Sequence, residues 1–147
     1  MSALDNAQAA LARIAAHDGQ VNAFTEVLAE RALAQAARVD AARLTGPLVG
    51  MPFAAKNLFD LKGIPTRAGS KIRRNAPPAT ADATLVARLE AAGMVCVGAL
   101  NMDEFAYGFT TENSHDGPAH NPHDLSRVAG GSSGGSAHGH AQRVTHP

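Results

Sequence analysis

Several absences narrow what this chain can be. It has a single cysteine, Cys96, so no internal disulfide can form and the disulfide-stapled secreted modules are excluded. Neither sign of charge is in excess. Thirteen Lys and Arg face thirteen Asp and Glu, which gives no electrostatic drive toward nucleic acid or an anionic membrane. No run approaches the ~18 apolar residues of a membrane span. The opening stretch MSALDNAQAALARIAAHDG lacks a basic segment followed by a continuous apolar one, so it does not read as a signal peptide. The expectation is a soluble, cytoplasmic protein. Large apolar side chains are scarce as well. Of 147 residues 31 are Ala, while Leu, Ile, Val and Phe together number 29, close to the one-fifth below which chains struggle to build a core. The zero net charge still argues against outright disorder. The length fits one domain, or part of a larger one.

What is present has an order. Leu4, Ala7, Leu11, Ile14 and Ala15 recur at spacings of three and four, and His17-Asp18-Gly19 is expected to end that helix. A second helix is expected over roughly 24–43, with Val27, Leu28, Leu33, Ala36 and Val39 on one face. Residues 1–45 thus read as an amphipathic helical pair with a thin, Ala-rich stripe that leans on something larger. From Gly46 the character changes. Pro47 to Ala55 suggests a short buried strand, with Lys56 directly after it, and residues 60–80 read as loop. Asp82 to Ala92 reads as a helix with Leu85, Val86 and Leu89 inward, closed by Gly93. Met94 to Leu100 is a continuous apolar run of strand length, typical of a strand covered on both faces. Helix, glycine, buried strand is α/β grammar. The stretch 111–147 breaks the pattern, with only Leu125, Val128 and Val144 as large apolar residues. It reads either as a long functional loop laid on a scaffold or as disorder.

Three groups of residues could carry chemistry. Gly130 to Ala137 (GGSSGGSA) offers tight turns and exposed hydroxyls. By itself it fits a flexible linker, a phosphate-cradling loop without the Walker lysine, or a nucleophile elbow centred on Ser133. The elbow requires a buried strand before it, and Leu125 to Ala129 is too polar for one. Lys56 sits between Phe53-Ala54-Ala55 and Leu58-Phe59. Apolar surroundings would lower its pKa and make a general base of it, whereas a lysine snorkelling from a strand end would keep its charge. Six of the seven histidines, namely His115, His120, His123, His138, His140 and His146, crowd the C-terminal third without a metal-ligand spacing. No metal site is expected from them.

Taken in order, Lys56, the run Asn101 to Gly108 (NMDEFAYG), Thr111 to Ser114 (TENS), Asn121-Pro122 and GGSSGGSA resemble the amidase signature family from about Gly46 to Ala137. Within it, NMDEFAYGFTTENSH and NPHDLSRVAGGSSGGSA are most similar to amidohydrolases of the carboxybiuret-hydrolysing type, with the amidotransferase A type in close second place. The resemblance implies an α/β fold. An N-terminal helical segment (1–45) would be followed by the first part of the family's mixed-sheet core (46–137), left incomplete, and by an aberrant, disordered tail (138–147). It implies amide hydrolysis by a Ser–cis-Ser–Lys mechanism. Lys56 would be the base and Ser132 the bridging serine entered through a cis peptide bond. Ser133 and Tyr107 would be substrate-binding residues. The family needs no metal or cofactor, acts on small amides, and works in some members with a partner subunit. Its nucleophile lies in a later glycine–serine block with no counterpart here. The resemblance stops after Ala137, as a frameshift and early stop would make it. The expectation is therefore a piece of the enzyme that is inactive alone and poorly stable, its strand at 94–100 left with an unpaired edge. A non-catalytic subunit or binding module, using the helices of 2–43 as its interface, is the other reading.

Overall fold

The computed structural model describes residues 1–141. Helix α1 (Ala3–Val21) starts on a reciprocal cap, in which Ser2 Oγ accepts from the Asp5 N–H and the Asp5 carboxylate accepts from the Ser2 N–H, both at 3.0 Å. It runs past the expected stop at Gly19. The left-handed residue is Asn22 (φ 52°), and the Asp18 carboxylate turns the chain by accepting from the N–H groups of Ala23 and Phe24. The second expected helix is divided. Phe24–Val27 forms strand β1, and helix α2 spans Ala29–Ala42. Val27, expected in the helical stripe, is instead 43% exposed on that strand.

Strand β2 (Pro52–Lys56) and strand β3 (Val95–Leu100) complete a three-stranded mixed sheet of order β1-β3-β2. β3 is antiparallel to β1 (Phe24 opposite Leu100) and parallel to β2 (Ala55 opposite Ala99). Every residue of β3 is buried, as its unbroken apolar run implied. Its edges are both paired, contrary to the expected bare Val-rich edge, and β2 is the edge strand on the far side.

The core lies on the two faces of β3. On one, Val95 and Val97 meet Ala7, Ala10 and Ile14 of α1 and Ala32, Ala36 and Val39 of α2. Alanine lets the two helices approach closely, which is how a chain short of large side chains still excludes water. The end of α2 lies beside the start of α1, where the Asp40 carboxylate accepts from the N–H groups of Ala3 (2.8 Å) and Leu4 (3.0 Å). A carboxylate there satisfies donors that a helix start leaves open. On the other face, Cys96 and Ala99 pack with Ala55, Leu61 and Val86. Val86 belongs to helix α3 (Thr84–Ala91), shorter than expected, and Leu85 points outward at 50% exposure instead of inward. Arg31 of α2 ties α3 down through Asp82 and Glu90, both at 2.8 Å.

Residues 111–137 are structured, although they hold few apolar side chains. Strands β4 (Glu112–Asn113) and β5 (Gly117–Pro118) pair as one hairpin, and β6 (His120–Asn121) and β7 (Asp124–Val128) as another. β7 is exposed throughout. Order here comes from hydrogen bonds in place of apolar burial. Asn113 Nδ2 donates to the carbonyls of Gly69 and Met102, and Asn22 Nδ2 to that of Asp116. Helix α4 (Gly134–Ala141) follows, so the backbone of 138–141 is helical where a disordered tail was expected. The rest of that tail, including His146, lies outside the described residues. No described helix is long and apolar enough to cross a membrane.

Candidate active site

Lys56 is the last residue of β2, opposite Leu100 at the end of its parallel neighbour β3. Carboxyl ends of parallel strands are where α/β folds place their sites, because the chain leaves the sheet there and opens a crevice. The serine loop is brought to the same end. The Gly135 N–H donates to the Asn101 carbonyl (3.0 Å) just beyond β3, and the Asp103 N–H donates to the Ser132 carbonyl (3.1 Å). The Gly131–Ser132 peptide bond is cis.

Lys56 Nζ donates to Ser132 Oγ at 2.7 Å and to Ser133 Oγ at 2.8 Å. Two adjacent hydroxyls thus converge on one nitrogen that lies 76 and 77 residues earlier in the chain. Burial pulls the Lys56 pKa below that of an ordinary lysine, and the negative charge of Asp103 opposes that pull in part. The hydroxyls offer the amine hydrogen-bond partners whether or not it carries its third proton.

Beside the amine lies a cleft of about 260 Å³, walled by Phe53, Phe59, Leu85 and Leu89, with Ser133 and Ser136 on its polar side. The outward turn of Leu85 that the periodicity did not anticipate forms part of this wall. Tyr107 stands elsewhere. It follows the short 3-10 turn Glu104–Ala106, is 94% exposed, and does not line this cleft.

The neighbourhood contains residues that the sequence singled out only as parts of motifs. Asp103 and Thr111 are buried behind the serine loop, and Asn101 and Asn113 bind backbone carbonyls around it. Their signal was present in NMDEF and TENS, but an Asp or Asn in a polar stretch reads as surface until its partners are known. The described histidines are dispersed. His120 Nδ1 lies 3.1 Å from the Leu125 carbonyl oxygen and His115 Nε2 lies 3.6 Å from Glu104. Among the described residues no three His, Cys, Asp or Glu side chains converge on a point where a metal could sit. Cys96 is fully buried in the sheet, and burial pushes its thiol up to about 11.

A mixed-sheet α/β fold whose strand-end lysine meets the first serine of a GGSSGG loop defines a class. The Amidase family model matches residues 5–144, and the chain belongs to that family. It is 61% identical over 139 residues to AtzE, a component of the 1-carboxybiuret hydrolase of Pseudomonas sp. (strain ADP), covering 92% of this chain and 30% of that protein. It is 54% identical over 141 residues to the A component of the glutamyl-tRNA(Gln) amidotransferase of Anaeromyxobacter dehalogenans (strain 2CP-C), covering 93% and 28%. Among solved structures, a chain of an inhibitor-bound vestigial protein complex, described as revealing the evolutionary origins of an s-triazine catabolic enzyme, superposes with a TM-score of 0.95 at 56% identity, over 99% of this chain and 33% of that one. The chain spans about a third of the length of these relatives.

Proposed function

We propose that these residues carry the base side of an amide-hydrolysing site, with Lys56 as general base and Ser132 as the proton bridge. The observation that carries the reading is the Lys56 amine within hydrogen-bond distance of Ser132 and Ser133 at the edge of an apolar cleft. In its neutral form the amine takes the Ser132 hydroxyl proton on its lone pair, while an N–H still donates to Ser133. Ser132 Oγ then draws the proton from an attacking serine hydroxyl as that oxygen bonds to the amide carbon. When the C–N bond breaks, the proton returns along the same path to the departing amine. Water cleaves the resulting ester by the same relay. The chemistry so written needs no cofactor. The resemblance places the attacking serine in a later block of the family, so Ser133 is read as a substrate-binding group.

Tyr107 is proposed as a second substrate contact, reached from the loop that packs against Gly131. The nearer likeness to a carboxybiuret hydrolase favours a small amide substrate. The second reading, an amidotransferase of the A type, is favoured by the 54% identity over almost the whole chain. Both relatives are named as subunits, which supports a partner chain in either case.

The test is a chimera in which residues 5–141 replace the corresponding segment of the 61% identical hydrolase. It should release ammonia from amide substrates, and Lys56→Ala and Ser132→Ala should each lower the rate by about 10²–10⁴-fold, the usual worth of a positioned proton-transfer group. Undiminished turnover in both variants would sink the assignment. Preference for carboxybiuret over glutaminyl amide separates the two readings. The 147-residue polypeptide alone should turn over neither, and Lys56-dependent turnover by it would place the nucleophile among these residues.

A further inference from the structure

Asp103 is a carboxylate that the chain has gone out of its way to bury. It is 8% exposed, its Oδ1 accepts from the Thr111 N–H at 3.0 Å, and its Oδ2 has no hydrogen-bond partner among the described residues. A buried charge held by one hydrogen bond is costly, so its retention calls for a purpose. Two glycines enclose it. A Cβ on Gly108 or on Gly131 would overlap the Asp103 carboxyl group, so both backbones close on the carboxylate only because neither residue has a side chain. Gly131 is the residue immediately before Ser132.

From the carboxylate the contacts lead to every turn of the serine loop. Asp103 orients the Thr111 backbone, and Thr111 Oγ1 donates to the Gly130 carbonyl (2.8 Å) and accepts from the Gly134 N–H (3.0 Å). The Asp103 N–H itself donates to the Ser132 carbonyl. Both ends and the middle of the segment 130–134 are therefore fixed from this one corner. The Ser132 that the Asp103 N–H holds is the residue whose Oγ accepts from Lys56 Nζ, which places Asp103 one residue from the amine, where its negative charge opposes the effect of burial on Lys56. Inside a protein such a field is weakly screened.

We propose that Asp103 is the positioning residue of this site, holding the serine loop through Thr111 and setting the electrostatic field at Lys56. The inference rests on the reading of Lys56 as base, and its test is separable from that reading because it requires no turnover. In the chain labelled with ¹³C at lysine Cε, the Lys56 resonance is followed against pH. Asp103→Asn keeps the shape and removes the charge, so the Lys56 midpoint should move down and amide exchange at Gly134 should quicken. A residue with a merely structural role would leave the midpoint where it was. Thr111→Val keeps the charge but removes the hydroxyl, so it should quicken exchange at Gly134, and Thr111→Ser should restore protection. An unmoved Lys56 midpoint in a folded Asp103→Asn overturns the proposal. Should that variant not fold, the threonine pair decides. Anything other than lost protection in the valine and kept protection in the serine overturns it. A Lys56 that titrates as a free lysine in the unsubstituted chain counts instead against the base reading.

Discussion

Gly98 sits in β3, where its antiparallel neighbour β1 shifts register between Phe24 and Glu26 and comes close to it. A Cβ built there would stand 2.5 Å from the Glu26 carbonyl oxygen and 2.9 Å from Phe24 Cδ1, where ordinary contact begins at 3.4 Å. Gly98→Ala therefore requires β1 to withdraw by nearly an ångström. The obstacle is backbone, so no rotamer change can relieve it. Withdrawal strains the pairing of Val27 with Gly98 and the adjoining bond from the Leu28 N–H to the Val97 carbonyl, now 2.9 Å. Overpacking of this kind costs about 1–3 kcal/mol. For a chain of this size that is a fall in melting temperature of roughly 3–9 °C. Gly19 is the internal control. It lies inside α1 with nothing within 4 Å of the added methyl, so Gly19→Ala should gain helix propensity of about 1 kcal/mol and raise the melting temperature by about 3 °C. Both are read by thermal unfolding followed by far-ultraviolet circular dichroism. A Gly98→Ala chain that melts within a degree of the parent would refute the close approach of β1 to β3, and a destabilised Gly19→Ala would refute the extension of α1 beyond the His17-Asp18-Gly19 turn.

Three further outcomes are expected. Lys56 holds its proton less tightly in the folded chain than an ordinary lysine at 10.5, so the unfolded state binds more protons below that value. Its contribution to stability is complete above pH 10.5 and is lost as pH falls through the folded value; denaturant titrations of Lys56→Met should lack that slope. Cys96, buried with its thiol pushed up to about 11, should resist maleimide at about pH 8 until the chain is denatured, and rapid native labelling would contradict the two-sided cover of β3. Asp40→Asn weakens the carboxylate cap on α1 and should cost about 1 kcal/mol, seen as an earlier denaturation midpoint and faster exchange at the Ala3 and Leu4 amides.

Much of the site was legible because its chemistry is concentrated in short stretches. Lys56 after an apolar strand and serines among glycines are unusual enough to be found one at a time, and their order along the chain carries the family. Asp103 was legible only as one letter of a motif. Nothing local marks it as buried, because its enclosure depends on Gly108 and Thr111 folding back over it and on Gly131 arriving from the serine loop. Leu85 was misplaced for a related reason. In a helix of eight residues a single buried position, Val86, decides which face turns inward, and three apolar neighbours leave that choice open.

By itself the sequence determined the elements whose signals lie within them. The body of α1, the body of α2, the helix at α3 closed by Gly93, the doubly covered strand β3 and the chemical identity of the amine and hydroxyls all follow from spacing and residue type. Tertiary structure alone decided the rest. Phe24–Val27 has the periodicity of the helix that follows it, and it becomes a strand because β3, some seventy residues away, offers a free row of hydrogen-bonding groups. The hairpins of 112–128 have too little apolar surface to announce themselves, and they are held by asparagine and aspartate contacts made across the fold. The meeting of Lys56 with Ser132 and Ser133 is of the same kind. A periodic pattern reports which face of an element is buried but not what lies against it, and a proton relay depends on distances that only the packed chain sets.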